Sequence, residues 1–478
     1  MRRSPGRQSA RPGPAGQQPP APGAAASVRI FLATSRTPRR ALNAGLVFAG
    51  GFAALIAGGT FLLMLPIAHV SGQWSPMMDA AFVAVSAVSV TGLVVVDTGT
   101  GWSGFGQAVV AALVQIGGYG FMILSTLLLR LAGRRTSLRE RLLLQESLGG
   151  PAVGSVLTLA RRVLLYTVVV EGIGALILWW AFLEYQPPAT AAWWGVFHAI
   201  TAFNNAGFDL TGNYQSMVPF QQAPLVLLPI SLLAILGSFS YTVGEDLIRR
   251  RSFVRLTLDS KLVLVTSIGL LIGGTLALLF TERANGSTFA PMPFEYRVLN
   301  AFFQSASARS AGFNSLDLAM LTDGGLLVLI GLMLIGGASG STAGGIKVQT
   351  LGILLSATAS AIRGTEDVTA FGRRVPMPDV LRAIAVTVLA FALVFLATFM
   401  MGVADSQPFL RELFEIVSAF GTAGMSTGLT LEASPLSRLI LMGMMFVGRL
   451  GPLTLALALA EREHGSPLRW PAETVRIG

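Results

Sequence analysis

FHAITAFNNAGF, residues 197–208, is one of four stretches that share an outline in this chain of 478 residues. The four copies read VTGL, NAGF, SAGF and TAGM around a central glycine: Gly92, Gly207, Gly312 and Gly424. A phenylalanine lies ten residues before each of these glycines: Phe82, Phe197, Phe302 and Phe414. The glycines are separated by 115, 105 and 112 residues. This regular spacing predicts a fourfold repeat that runs through the whole chain.

The composition predicts an all-α polytopic membrane protein. Hydrophobic residues make up 53% of the chain and charged residues only 12%, whereas a soluble protein carries about 25% charged residues. Apolar runs of this extent are typical of membrane spans. The chain has no cysteine, which excludes disulfides and thiolate metal sites.

The net charge of +10 comes largely from arginines that crowd into a few short loops. This pattern argues against nucleic acid as a partner and follows the positive-inside bias of membrane proteins, which places both termini in the cytoplasm. The basic clusters are Arg36, Arg39 and Arg40; residues 130–141; Arg249, Arg250, Arg251 and Arg255; and Arg363, Arg373 and Arg374.

Each repeat is predicted to hold two long apolar segments with a short segment between them. The short segment, from its phenylalanine to its glycine, has eleven residues, about half of the roughly 20 that a crossing needs. It must therefore enter the membrane and return, which gives eight spans and four re-entrant helices around a central pore. The second long segments are predicted at Gly104–Leu131, Ala223–Ile248, Leu326–Ile362 and Leu436–Ala460.

The repeat predicts five regions along the chain. A disordered, basic cytoplasmic tail is expected at 1–40, because this part is rich in Pro, Gly, Ala and Arg and has no hydrophobic period. Four pore repeats are expected to follow, the third with an intramembrane gating loop and the last with the C-terminal tail: 41–145, 146–255, 256–365 and 366–478.

The chemistry that suits this layout is the passage of a cation. A cation that leaves water needs oxygen atoms to replace its hydration shell, and backbone carbonyls of a loop can supply them. Such a loop needs unusual dihedral angles and close backbone approach, for which glycine is suited. The C-terminal end of each short helix, which is partially negative, would also favour a cation. We therefore expect the four glycines to line the narrowest part of a pore.

Two features depart from the repeat. The segment GGASGSTAGG, Gly336–Gly345, divides two apolar runs and should not hold a continuous helix, since glycine weakens helices. Irregular backbone at membrane depth is tolerated where it is buried in protein or lines water. Arg449 lies inside the last apolar span, where an arginine is costly and is by default functional.

These motifs resemble those of the Trk/Ktr/HKT potassium transporter superfamily. The loops VSVTGL (88–93), FNNAGF (203–208), ARSAGF (308–313) and FGTAGM (420–425) look like its filters, while GGASGSTAGGIK (336–347) and MFVGRLGPLTLA (445–456) look like its gating loop and last helix. With eight spans and the ending WPAETVRIG (470–478), the chain is most similar to KtrB, the membrane subunit of Ktr systems.

The resemblance implies a role for each matching position. The filter, where potassium would bind, would consist of Val90, Thr91, Gly92, Asn205, Ala206, Gly207, Ser310, Ala311, Gly312, Thr422, Ala423 and Gly424. The gate would consist of Gly336, Gly337, Ser339, Gly340, Ser341, Thr342, Gly344, Gly345, Lys347 and Arg449. The resemblance also implies a homodimer on a KtrA-like cytoplasmic ring that binds ATP or ADP, with sodium as a candidate regulator and no cofactor in this chain.

Several alternatives stay open at this stage. A sodium-selective or non-selective relative, and a polytopic membrane enzyme, are the two other functions considered. Arg309 is unfavourable beside a cation filter and is expected to form an ion pair, with Asp97, Asp209 or Asp317 as candidate partners; those aspartates could instead gather cations. Glu171 lies inside an apolar span, where it would pair with a buried arginine or face a cavity.

Overall fold

A computed structural model of the chain describes residues 44–120 and 156–451. The predicted tail, the arginine cluster at 130–141 and the C-terminal ending lie outside the described residues. In the described part the helices are α1 Ala44–Met64, α2 Met77–Ser89, α3 Gly104–Gly118, α4 Val156–Phe182, α5 Pro188–Phe203, α6 Pro224–Ser238, α7 Tyr241–Arg250, α8 Leu258–Thr281, α9 Phe294–Ser307, α10 Asp323–Leu334, α11 Val348–Ile362, α12 Met377–Asp405, α13 Phe409–Phe420, α14 Leu429–Glu432 and α15 Pro435–Leu450. A two-residue hairpin, β1 Thr369–Ala370 with antiparallel β2 Arg373–Arg374, joins α11 to α12.

Four short helices, α2, α5, α9 and α13, each lead into one of the four glycines. They have 13, 16, 14 and 12 residues, fewer than the roughly 20 that a membrane crossing needs. Each begins directly after a proline: Pro76, Pro187, Pro293 and Pro408. Because a residue before proline avoids the helical conformation, these prolines fix where the short helices start.

The short helices follow one packing rule. Each packs against the first long helix of its own copy, and each also packs against a long helix of the preceding copy. The pairs with the preceding copy are α5 with α3, α9 with α6, α13 with α10 and α2 with α15. The series closes on itself, because the first short helix packs against the last long one. This arrangement brings the ends of the four short helices together.

The long helices are less uniform than the sequence predicts. Within the described residues, three helices are long and apolar enough to cross a membrane, Arg161–Phe182, Leu258–Thr281 and Met377–Asp405, and a fourth results if one bent pair is a single span. The protein is thus a helical multi-pass membrane protein, and the count of eight spans stays a prediction. The described part of the first repeat's second segment, Gly104–Gly118, is helical.

The predicted second long segment Ala223–Ile248 is bent. Its helix α6 ends at Ser238, and the next helical stretch continues at an angle of 95°, so this segment is either a broken span or a re-entrant loop. Ser240 starts the next helix as its cap, since its side chain accepts a hydrogen bond from the N–H of Val243. In the third copy, the glycine-rich segment interrupts the helix between Leu334 and Val348, as its composition predicts.

Candidate functional site

The four glycines lie against one another in cyclic order. A Cβ atom built on Gly207 would lie 2.7 Å from the Cα of Gly312 and 2.9 Å from the carbonyl oxygen of Ala311. One built on Gly312 would lie 2.6 Å from the carbonyl oxygen of Ala423. The same atom on Gly92 would overlap the carbonyl oxygen of Ala206, and on Gly424 that of Thr91. Each glycine therefore faces the carbonyl that precedes the next glycine of the ring, and no side chain fits there.

The backbone of the four glycine loops, residues 90–93, 205–208, 310–313 and 422–425, is left-handed at two positions each. The glycines have φ values of 94°, 68°, 83° and 76°, which other residues rarely adopt. The residue two positions earlier also has a positive φ in all four loops: Val90 at 57°, Asn205 at 59°, Ser310 at 85° and Thr422 at 46°. None of these four is a glycine, so their conformation could not be read from residue type.

Helix capping explains three of these left-handed residues. The N–H of Thr91 donates to the carbonyl of Ser86 and that of Val90 to Ala87, at 2.8 and 3.1 Å. The same pair of bonds forms at Asn205–Ala206 and at Thr422–Ala423. This is the Schellman motif, whose left-handed residue ends a helix. The third loop differs: there Ala311 and Gly312 both donate to Ser307. The N–H groups are thus used by the short helices, and the carbonyls are what the loops offer to a bound species.

The interrupted segment, residues 335–347, packs directly against the glycine loops. The hydroxyl of Thr342 is hydrogen-bonded to the side-chain amide of Asn205 at 2.7 Å. A Cβ on Gly344 would overlap the side chain of Thr422, and one on Gly336 would lie 3.1 Å from the hydroxyl of Ser310. The segment therefore touches the left-handed residue of three of the four loops.

Backbone hydrogen bonds hold the interrupted segment at both ends. The N–H of Ala338 donates to the carbonyl of Ser238 at 2.9 Å, and that of Gly336 donates to Ile346 at 2.9 Å. Lys347 donates from its Nζ to the carbonyl of Ala343 at 2.6 Å and to that of Gly344 at 3.3 Å. These bonds satisfy part of the backbone that a helix would otherwise satisfy.

Arg449 bonds to the interrupted segment from the last helix. Its Nη1 donates to the carbonyl oxygen of Thr342, and its Nη2 donates to that of Gly117 at the end of α3. The guanidinium thus joins three elements that are distant in sequence. Gly340, Ser339 and Ser341, the other predicted gate residues with small side chains, lie in the same segment.

The expected ion pair of Arg309 is wrong. Arg309 is 4% exposed and donates to the carbonyl and the hydroxyl of Ser267 on α8, at 3.2 and 3.0 Å. The three candidate aspartates are used elsewhere. Asp97 accepts from the N–H of Tyr214 at 2.7 Å, while Asp209 and Asp317 accept from the backbone N–H two residues further on, at Thr211 and Ala319.

The expectation for Glu171 also needs correction. This buried carboxylate accepts hydrogen bonds from the side-chain amides of Gln115 and Asn204, each at 2.8 Å. None of the ion pairs between described residues includes Glu171, so an arginine partner is not what holds it. It is instead the centre of an amide network behind the second glycine loop.

The site defines a class of protein. Four backbone loops converge inside an apolar helical protein, and among the described residues no group of three or more His, Cys, Asp or Glu could hold a metal ion. Backbone carbonyls that converge in this way are suited to coordinate a cation that has left water. The fold and site are those of a membrane cation transport protein.

The comparisons with known proteins agree with this class. The family described as TrkH, cation transport protein, matches residues 24–467, and the chain belongs to that family. The Ktr system potassium uptake protein B of Bacillus subtilis is 37% identical over 90% of this chain and 96% of its own length. That of Vibrio alginolyticus is 39% identical over 89% and 93%. The potassium/sodium uptake protein NtpJ of Enterococcus hirae is 35% identical over 92% and 98%.

A solved structure shares the fold. The crystal structure of the potassium transporter TrkH from Vibrio parahaemolyticus superposes with a TM-score of 0.69 at 17% identity, covering 89% of this chain and 86% of its own. The family and these relatives are ion transporters, so the alternative of a membrane enzyme is set aside.

Proposed function

We propose that the chain is the potassium-conducting membrane subunit of a Ktr-type uptake system, with the four glycine loops as its selectivity filter. The single observation that carries this proposal is the cyclic contact of Gly92, Gly207, Gly312 and Gly424 with one another's carbonyls. The relatives from Bacillus subtilis and Vibrio alginolyticus are potassium uptake proteins of Ktr systems, and this similarity supports potassium as the ion and a Ktr system as the assembly.

The filter would work by replacing water with carbonyl oxygens. The loops carry left-handed residues at the glycine and two positions before it, which lets successive carbonyls point to the same side. No hydrogen bond between the described residues uses the carbonyls that directly precede the four glycines, so these carbonyls do not have to leave another partner to bind potassium. In the third loop, the carbonyl of Phe313 accepts from the hydroxyl of Ser307. The C-terminal ends of the short helices add partial negative charge near the ion. Four pore repeats in one chain, with eight spans, would complete the ring.

The interrupted segment would act as the gate, with Arg449 as a positive barrier beside it. The segment contacts three glycine loops, so a shift of its backbone opens or blocks the path just below the filter. Arg449 binds its Thr342 carbonyl, and a fixed cation at this depth repels a passing one. Lys347 holds the Ala343 carbonyl and thereby fixes part of the backbone of this segment.

The partners follow from the Ktr assignment. We expect a homodimer in the cytoplasmic membrane, with both termini in the cytoplasm and a KtrA-like ring, loaded with ATP or ADP, below it. The basic stretch Arg249–Arg255 and the hairpin with Arg373 and Arg374 are exposed and would dock the ring. Site-specific crosslinkers at these loops should capture the ring, and capture only from other faces would contradict this placement.

A sodium-selective or weakly selective transporter is the second candidate. It is favoured by one observation, the 35% identity to the potassium/sodium uptake protein NtpJ of Enterococcus hirae. The two candidates differ in how sodium competes with the transported ion.

The deciding experiment is rubidium uptake in a strain that lacks its own potassium uptake systems. We expect this chain to restore growth at low potassium, and to do so more strongly when a KtrA-like subunit is expressed with it. Uptake of rubidium should be inhibited by potassium and far less by an equal concentration of sodium. Equal inhibition by both ions would favour the second candidate, and no uptake with or without the subunit would contradict the proposal.

A further inference from the structure

Glu171 is a buried carboxylate that the filter and gate do not use. It lies in the middle of α4 and accepts from Nε2 of Gln115 through one oxygen and from Nδ2 of Asn204 through the other, each at 2.8 Å. Asn204 stands at the C-terminal end of the second short helix, immediately before the left-handed Asn205. The carboxylate therefore reaches the residue that leads into the second glycine loop.

The network requires a group with two acceptor oxygens at position 171. Nδ2 of Asn204 also lies 2.8 Å from Oε1 of Gln115 and 2.9 Å from the carbonyl of Ile200, so its two hydrogens already serve three acceptors. A glutamine at 171 would point its own N–H₂ at one of the two amide nitrogens. Two donors would then face each other in a buried site, and at least one would lose its partner.

The same network connects to the gate. Gln115 lies two residues before Gly117 on α3, and Gly117 accepts from Arg449. Arg449 also donates to Thr342, whose hydroxyl is bonded to Asn205. Hydrogen bonds, together with the backbone of α3 between Gln115 and Gly117, thus connect Asn204 to Asn205 around the second glycine loop. Glu171 and Arg449 are the two ionisable members of this network.

We infer that Glu171 is a positioning residue for ion selection: it holds Asn204, and through it the Asn205 peptide, in the orientation that the second glycine loop requires. This inference rests on the proposed function. The hydrogen-bond partners of Glu171 are Gln115 and Asn204, so it acts on the second glycine loop through Asn204. Its effect is to reduce the freedom of one of the four loops, so its removal should weaken ion binding and selectivity more than folding.

The test is a double-mutant cycle with Glu171→Gln, Asn204→Ala and the pair together. In rubidium uptake we expect Glu171→Gln to raise KM about tenfold, the scale of a lost hydrogen bond to a charged group, and to increase inhibition by sodium. Because Glu171 acts through Asn204, the double variant should be no worse than the more severe single variant. Glu282→Gln is the matched control, since Glu282 is equally buried and hydrogen-bonded but holds Thr322 and Asn285 away from the glycine loops.

The outcomes separate this inference from the proposed function. A wild-type KM for Glu171→Gln, or additive effects of the two single variants, would overturn the inference while uptake by the wild-type chain still stands. Absence of wild-type uptake would instead overturn the proposed function. If Glu171→Gln does not reach the membrane, Asn204→Ala alone decides: a raised KM supports the inference, and an unchanged KM overturns it.

Discussion

The second and third glycine loops follow related backbone paths but are held from behind by side chains of different charge. Three residues before Gly207 stands Asn204, whose amide binds the carboxylate of Glu171 on α4. Three residues before Gly312 stands Arg309, whose guanidinium binds Ser267 on α8. Both side chains point away from the ring of glycines to the first long helix of their own copy. The comparison teaches that backbone contacts repeat around the ring, whereas the electrostatic support behind each loop does not.

The largest effect is expected from replacing the glycines, because their close contact with the neighbouring loop is what the second and third loops share. Gly207→Ala or Gly312→Ala places a Cβ less than 3 Å from the neighbouring loop and forces a side chain into a left-handed conformation. We expect rubidium uptake to fall by about 100-fold or more, corresponding to roughly 3 kcal/mol of lost ion stabilisation.

The control for the glycine variants is Gly269→Ala in α8. A Cβ there meets nothing within 4 Å, and the φ of Gly269 is not positive. Helix propensity alone therefore predicts that the free energy of unfolding stays the same or rises by up to about 1 kcal/mol. Uptake by Gly269→Ala should equal that of the wild type. If Gly312→Ala behaves in the same way, the third loop does not line the path of the ion.

A smaller effect concerns Arg309 and Glu171, whose replacement should change the KM of rubidium uptake in opposite directions. Arg309→Gln removes a buried positive charge beside the third loop, so a cation there should be bound more tightly, and KM should fall about threefold. This is opposite to the rise expected for Glu171→Gln. The measurement is the KM of rubidium uptake for both variants in the same strain.

Ser267→Ala separates charge from packing at Arg309. It removes the hydroxyl partner of the guanidinium and keeps the charge, so thermal stability should fall while KM stays near that of the wild type. A fall in KM for Ser267→Ala equal to that for Arg309→Gln would mean that the charge itself is not responsible.

The smallest expected effect concerns the residue two positions after the glycine, which is Asp209 in the second loop and Asn314 in the third. Burial raises the pKa of Asp209 to about 7, with Asp97 adding to the shift while the N–H of Thr211 opposes it. The carboxyl is therefore neutral below about pH 6 and charged above about pH 8. If it gathers cations, KM should fall about twofold as pH rises through 7.

Asp209→Asn, which installs the residue of the third loop, tests this pH dependence. Its KM should be the same at pH 6 and pH 8. The stability of the folded state should fall as pH rises: since the folded-state pKa of Asp209 is raised, charging this half-buried carboxyl costs stability between about pH 4 and 7. In Asp209→Asn, the thermal unfolding temperature measured in detergent should therefore fall less over this pH range than in the wild type. If the KM of Asp209→Asn still falls as pH rises through 7, as in the wild type, a different group causes the pH dependence.

Much of the fold could be predicted because each glycine loop is marked by the same residue types at the same spacing. Glycine at four equivalent positions and a phenylalanine ten residues earlier located all four short helices. Four prolines that start these helices give a further signal that the spacing analysis missed, because their distance to the glycine varies from 16 to 20 residues. The break at Gly336–Gly345 was also predictable, since ten small residues cannot hold a helix.

The supports behind the loops could not be predicted in the same way. Arg309 was expected to bind an aspartate, but its partner is the serine that α8 brings next to it, 42 residues away. Likewise, the partners of Glu171 are 56 and 33 residues distant, and nothing in an apolar run specifies which amide lies opposite. The bend after Ser238 was missed, although Gly237, Ser238 and Ser240 interrupt the apolar run at this point.

The sequence by itself determined the class of this protein and the positions of the four glycines that follow the short helices, because hydrophobicity, chain length and backbone freedom are properties of local stretches. Only the tertiary structure decided which carbonyl faces each glycine, that Arg449 joins Thr342 to Gly117, and that Glu171 holds Asn204. The physical reason is that these contacts depend on how separate helices are rotated and offset against each other. That packing is fixed by the whole set of helices at once.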